Sequence, residues 1–162
     1  MTATHGEQVT LPPRPLIRTV WALHRAAVRV TGGRFGLQRP ERGARFGMLR
    51  LHTTGRRSGQ QRIAMIGYFE DGPNLVTLAM NGWGAAEPAW WLNLQASPSA
   101  IVERPEGRLE VTARAATDAE RHRLWTAFGD YPGWGADLEG LAARRPSETA
   151  IVILEPTTGA AR

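Results

Sequence analysis

The densest chemistry in the sequence lies at Thr53-Thr54-Gly55-Arg56-Arg57-Ser58-Gly59-Gln60-Gln61-Arg62. Two glycines let a short connection turn tightly and expose its amides, Ser58 adds a hydroxyl, and Arg56, Arg57 and Arg62 bring three guanidinium forks to one stretch. That combination can grip a phosphate, although a solvated, charged hairpin fits the same letters. It is not a lysine-bearing phosphate loop, because no lysine is present and a strand rather than a helix follows. A second segment, Ala79-Met80-Asn81-Gly82-Trp83-Gly84, runs into Glu87-Pro88-Ala89-Trp90-Trp91-Leu92-Asn93-Leu94. Its glycines would let a flat ligand lie against the main chain. Trp90 and Asn93, three residues apart, share one face of the helix that Pro88 opens as its first residue.

The rest of the inventory excludes more than it offers. All 20 basic residues are arginine and there is no cysteine, which removes lysine Schiff bases, disulfides, thiolate metal sites and cysteine nucleophiles. His5, His24, His52 and His122 have no metal-ligand spacing and read as surface or hydrogen-bonded residues. Glu103, Glu106 and Glu110 flank a turn and read as solvated, and no serine sits in a nucleophile elbow. A phosphate grip and an aromatic shelf with so few acid–base groups leave the difficult chemistry to a cofactor.

The elements that would position these residues follow from hydrophobic period. Pro13–Thr31 has helical spacing, with Arg14, Arg18, Arg25 and Arg29 on one stripe and Leu16, Val20, Leu23, Ala27 and Val30 opposite. It reads first as a surface helix packed on its own domain, with a basic helix at a lipid surface as the alternative; the spacing alone does not separate them. After a glycine- and arginine-rich connector, Phe46–Thr54, Gln61–Phe69 and Asn74–Met80 alternate as strands, with Asp71-Gly72-Pro73-Asn74 as a turn. A short aromatic helix from Pro88 to about Ser97 comes next. Ala100–Glu103 and Leu109–Ala115 form a hairpin around Pro105-Glu106-Gly107. Thr117 and Glu120 make a capping box for a helix whose inner face carries Leu124, Trp125 and Phe128. A short helix near Asp137–Arg144 and a closing strand at Ile151–Leu154 complete the series. Trp21, Trp91 and Trp125 read as core. About six strands with helices inserted between them give an α+β protein built on a small, mostly antiparallel barrel.

The 162 residues fit one domain. Residues 1–13 read as a flexible segment, 14–45 as the amphipathic helix and connector, 46–156 as the barrel and 157–162 as a tail. The net charge of +5 hides an asymmetry: 12 of the arginines and only Glu7 and Glu41 fall within residues 1–62. That end of the chain calls for an anionic partner. No apolar run reaches the ~20 residues of a spanning helix, and the polar start lacks a secretion signal, so the expected location is cytoplasmic. Peripheral membrane contact through residues 14–31 is the alternative. No nucleic-acid reading motif is present, and none is expected as a partner.

Taken together, Leu51…Thr53-Thr54-Gly55-Arg56-Arg57-Ser58-Gly59-Gln60…Arg62, Tyr68…Asp71-Gly72, Ala79…Asn81-Gly82, Pro88…Trp90…Asn93-Leu94…Ser97-Pro98, Thr112-Ala113-Arg114 and Glu120-Arg121…Leu124-Trp125 resemble the deazaflavin-dependent nitroreductase family. The likeness runs from about Trp21 to Pro156. It implies a split β-barrel, binding of coenzyme F420, an 8-hydroxy-5-deazaflavin, and hydride transfer to an activated double bond such as an enone or quinone. A coenzyme with a phosphodiester and an oligoglutamate arm suits an arginine-only cradle. By this resemblance Arg56, Arg57, Ser58, Gly59, Gln60 and Arg62 hold the anionic arm, and Met80, Asn81, Gly82, Trp83, Trp90 and Asn93 line the ring or its linker. The chain departs from the common pattern at Met65, Gly67, Met80 and Trp83, and it places Tyr131, Trp134 and Asp137 where nitroimidazole-reducing members line the substrate pocket with tyrosines. The substrate pocket is therefore expected to differ from theirs. Tyr131 and then Asp137 are the protein candidates for proton delivery, beside water. A flavin mononucleotide (FMN) reductase of the same barrel type and a non-catalytic deazaflavin carrier or sensor are the rival readings. The resemblance leaves monomer and homodimer both open.

Overall fold

The computed structural model describes residues 36–82, 84–135 and 137–157. Six strands close into an antiparallel barrel: β1 (Gly47–Thr54), β2 (Gln61–Asp71), β3 (Asn74–Leu78), β4 (Ser99–Arg104), β5 (Gly107–Ala115) and β6 (Ile151–Pro156). Around the barrel the order is β1-β2-β3-β6-β5-β4, and β4 pairs back onto β1 through Leu51 and Val102. Closure leaves no free sheet edge. Three helices are inserted: α1 (Ala89–Ala96), α2 (Asp118–Phe128) and α3 (Leu138–Ala143). The expected helix at 13–31 lies outside the described residues, as do Trp21, Trp83, His5 and His24.

Alternation along the strands sorts side chains into two cores. Leu49, Leu51, Ile66, Tyr68, Leu75, Val102, Val111, Val152 and Leu154 form one cluster, and α1 adds Trp91 and Leu94 to it. Phe69, Val76, Leu78, Ile151 and Ile153 form the other, beneath Leu124 and Phe128 of α2. Strand β6 is therefore buried on both faces, which is why Ile151-Val152-Ile153-Leu154 shows no polar alternation. Burying Leu124 and Phe128 contributes about 2–3 kcal/mol each. The start of α2 is fixed by the expected capping box, in which the Glu120 carboxylate accepts from the Thr117 amide at 2.8 Å.

Four expectations change. Pro88 is the N-cap of α1, in extended conformation, and the helix begins at Ala89; its carbonyl accepts from Trp91 and Leu92, so the proline sits one position earlier than read. The strands β2, β4, β5 and β6 run two residues longer than expected, because ladder pairing continues through polar ends, and β3 stops at Leu78, two residues short of the expected Met80. Glu103 and Glu106 are not simply solvated: Glu103 receives Arg50 at 2.7 Å and Arg108 at 3.1 Å, and Glu106 pairs with Arg39 and Arg104. His52 is neither a surface nor a hydrogen-bonded residue; it is buried in β1, with Nε2 3.4 Å from Glu103.

Candidate functional site

The connection between β1 and β2 is a compact loop. The Gly55 amide donates to the Gln60 carbonyl at 2.8 Å, and the Ser58 and Gly59 amides donate to the Gly55 carbonyl at 3.2 and 2.7 Å. Gly59 has φ +66°, a left-handed turn that a side chain would strain. The Ser58 hydroxyl oxygen accepts from the Gln60 amide and from the Arg62 guanidinium, both at 3.3 Å, so its own proton remains available to an incoming oxyanion.

Charge distinguishes this loop from the rest of the described surface. Among the described residues, ten arginines form ion pairs with carboxylates: 39, 42, 45, 50, 104, 108, 114, 121, 123 and 145. Arg56, Arg57 and Arg62 do not, and Arg144 is the only other described arginine outside such a pair. Three uncompensated guanidiniums in one exposed turn make a local positive field with no protein counter-ion.

Asn93 connects this loop to α1. Its side-chain oxygen accepts from the Arg56 amide at 3.1 Å and its amide nitrogen donates to the Thr53 hydroxyl at 3.2 Å. The residue is 4% exposed. These bonds tie the arginine loop to α1 through Asn93, a residue that the resemblance sets along the ring or its linker. Thr53, the other half of this contact, was missed because a threonine at a strand end carries no signal of its partner.

The segment from Ala79 to Glu87 leads from β3 into α1. Asn81 and Gly82 are exposed, Gly84 donates its amide to the Asn81 carbonyl at 2.9 Å, and Met80 is half-buried against the second core. Trp90 is half-buried against the first core and meets Trp91 at a 6.4 Å ring separation. Tyr131 also borders the second core, stacked on Phe69 with ring centres 5.1 Å apart. Asp137 is exposed and caps α3, its carboxylate accepting from the Gly140 amide at 2.8 Å.

Trp134 packs into the second core. It is 5% exposed, edge-on to Phe128 at 4.9 Å and tilted on Phe46 at 5.0 Å. Gly67 explains how it fits: a Cβ there would lie 2.8 Å from the indole, so a side chain on β2 would exclude the ring. The glycine at 67 was the available signal.

Tyr68, wholly buried inside the barrel, has its phenol pushed above the usual tyrosine range by burial and then by Glu106 and Glu70. It stays protonated at working pH and supplies bulk rather than charge.

Comparison with known proteins gives the family and the fold. A family model described as F420H(2)-dependent quinone reductase matches residues 21–136. The F420H(2)-dependent quinone reductase Rv1261c of Mycobacterium tuberculosis is 36% identical over 105 residues, covering 64% of this chain and 68% of that protein. Among solved structures, one described as a domain-swapped dimer superposes with TM-score 0.61 at 23% identity, over 85% of this chain and 99% of the other. Another, an F420-H2 dependent reductase (FDR-A), gives TM-score 0.58 at 24% identity, over 67% and 93%. These two establish the split-barrel fold, and the family match spans both the arginine loop and the Met80–Gly82 segment: the chain belongs to the F420H(2)-dependent quinone reductase family.

Proposed function

We propose that this chain reduces quinone-type acceptors using reduced coenzyme F420, with the anionic arm of the coenzyme on the β1–β2 loop and its ring beside Met80, Asn81, Gly82 and Trp90. The observation that carries the placement is the set of unpaired guanidiniums at Arg56, Arg57 and Arg62 in a protein whose other described arginines, Arg144 apart, are all paired. A phosphodiester and several carboxylates supply the missing counter-charge, and arginine forks bind both groups with two parallel hydrogen bonds. The Ser58 proton and the Gly59 turn add a donor and room for close approach.

When bound, the reduced coenzyme supplies the hydride. The protein's part is placement. The arginine loop holds the arm, Asn93 fixes that loop to α1, and α1 carries Trp90, so the grip on the arm and the shelf for the ring sit on one connected frame. Binding energy from the remote arm can then be used to orient the reacting carbon within ~3–3.5 Å of the acceptor. For the proton that follows, Tyr131 is the better protein candidate. Its hydroxyl makes no hydrogen bond to a described residue, whereas the Asp137 carboxylate is engaged by the Gly140 amide.

The test is a fluorescence titration with coenzyme F420, run on the native chain and on Arg56→Ala/Arg57→Ala. Losing two charge-assisted contacts at ~1.5–3 kcal/mol each weakens binding at least ~100-fold, while the melting temperature stays within ~2 °C. An unchanged Kd in the double variant overturns the placement. Oxidation of the bound, reduced coenzyme on adding a quinone checks the reaction itself; binding without turnover by any quinone or enone would favour the carrier reading.

A further inference from the structure

One arginine outside the loop has the opposite character to Arg56 and Arg57. Arg145 follows α3 in a stretch, Arg144-Arg145-Pro146-Ser147-Glu148, whose composition reads as an ordinary polar loop. Its side chain is 0% exposed. Nη1 donates to the Ala79 carbonyl at 2.9 Å and to the Thr149 hydroxyl at 2.8 Å, Nε to the Gly84 carbonyl at 3.1 Å, and Nη2 to the Glu87 carboxylate at 3.1 Å. The same Glu87 oxygen also accepts from the Ser147 hydroxyl at 3.2 Å.

These contacts have an order along the chain. Ala79 is where β3 ends, Gly84 lies in the middle of the connection and Glu87 immediately precedes the N-cap of α1. The beginning, middle and end of a single segment converge on one planar group. Between the first two stations lie Met80, Asn81 and Gly82. The Thr149 contact, and the Ala79 amide donating to Ala150 at 2.9 Å, fasten the same point to the residues entering β6. Met80 packs against the second core and Asn81 and Gly82 are exposed, while the polar ties to Arg145 hold Ala79, Gly84 and Glu87 of this connection. The burial of a charge is tolerated because a carboxylate and three neutral oxygens satisfy four of its five donors.

We infer that Arg145 is a positioning residue for hydride transfer, a guanidinium clamp that sets the shape of the Met80–Glu87 segment and hence the pose of the ring against the acceptor. This rests on the placement of the ring at Met80–Gly82 given above. Coenzyme affinity comes mainly from the arm on the arginine loop, which Arg145 does not touch. Loosening the clamp therefore leaves binding nearly intact and degrades alignment, for which about 1 Å of misplacement costs on the order of 100-fold in rate.

The experiment uses Arg145→Lys, which keeps the positive charge beside Glu87 but replaces a three-nitrogen fork with one nitrogen. Glu87→Gln is the milder second variant, retaining shape and a hydrogen-bond acceptor; if Arg145→Lys fails to fold, the same outcomes are read on it. In the chain without coenzyme, amide hydrogen exchange across residues 80–87 is expected to rise at least tenfold while the barrel strands keep their protection. With coenzyme, Kd stays within threefold, kcat falls 10- to 100-fold, and the deuterium isotope effect on kcat rises as the hydride step becomes limiting. Unchanged exchange and kcat overturn the inference, as does a parallel loss of barrel protection and of coenzyme affinity, which would make Arg145 a general stabilising residue. If Arg56→Ala/Arg57→Ala leaves Kd unchanged, the coenzyme placement fails first. If that double variant loses binding and Arg145→Lys behaves as native, only the clamp fails.

Discussion

Replacing Asn93 with alanine should damage stability and coenzyme binding together, because one side chain joins α1 to the arginine loop. The substitution removes two hydrogen bonds, to the Arg56 amide and the Thr53 hydroxyl. Each has a net value of about 1 kcal/mol. The Arg56 amide lies at the edge of an exposed loop and recovers water. The Thr53 hydroxyl does not, since that residue is 3% exposed, and leaving it unmet costs up to about 1 kcal/mol more. The longer 3.4 Å contact from the Arg56 guanidinium adds little. The total is about 2–3 kcal/mol, which for a chain of this size lowers the melting temperature by about 4–12 °C. Coenzyme affinity falls about tenfold as the loop loses its fixed position. Thermal denaturation and a fluorescence titration of Asn93→Ala, Thr53→Val and the double variant measure both effects. The pair should couple by about 1 kcal/mol, the double costing less than the sum. Additive losses, or Asn93→Ala melting within ~2 °C of native with coenzyme bound as tightly, would refute the anchoring role.

Glu120→Gln probes acid stability. The Arg114 guanidinium and then the Thr117 amide and hydroxyl hold the Glu120 carboxyl down at about 2, against an ordinary value of 4.5. A depressed folded pKa contributes stability that is present above pH 4.5 and is lost as pH falls through about 2. The melting-temperature gap between native and Glu120→Gln should therefore be full at pH 6 and close between about pH 4.5 and 2; a gap independent of pH counts against the assignment. Gly67→Ala drives a methyl to 2.8 Å from the Trp134 indole and 3.1 Å from the Phe46 ring, and overpacking of this kind costs about 1–3 kcal/mol. Calorimetry showing no loss would mean that Trp134 is free to move. Leu124→Ala, at a site with no exposure beneath α2, costs about 2–5 kcal/mol yet leaves coenzyme affinity unchanged, because Leu124 packs in the second core whereas α1 packs in the first.

Six strands, the Thr117–Glu120 capping box and the arginine loop could be read from the letters because each depends on near neighbours. Alternation marks a strand, and Thr117 and Glu120 stand one helical turn apart. What could not be read depends on distant partners. Trp134 packs into the second core because the bare Gly67, far back on β2, supplies space for its ring. Asn93 shared a helix face with Trp90, as spacing required, but its side-chain amide is taken up by Thr53 and Arg56, partners 40 and 37 residues earlier in the chain that spacing alone does not reveal. Arg145 gave no signal at all: an arginine in a polar loop is ordinarily solvated, and only the convergence of Ala79, Gly84 and Glu87 buries it. Glu103 and His52 were misplaced for the same reason, their partners lying across strand pairs.

The two kinds of arginine also carry a thermodynamic argument. A folded chain gains little from adjacent like charges: Arg56 and Arg57 are sequence neighbours that repel each other, and Arg62, which donates to the Ser58 hydroxyl of the same loop, adds a third positive charge. Carboxylates were available, since the chain carries 15 acids and ten of them pair with ten of the described arginines. Leaving three guanidiniums without one is a local cost to stability, of the sort that persists where a ligand provides the missing charge. Arg145 has the reverse arrangement, with every nitrogen engaged and no side-chain exposure, its partners being Ala79, Gly84, Glu87 and Thr149. Arg56, Arg57 and Arg62 are exposed and without a carboxylate, whereas Arg145 is buried with four of its five donors engaged, so the first three are suited to receiving an anionic ligand and the last to holding backbone in place.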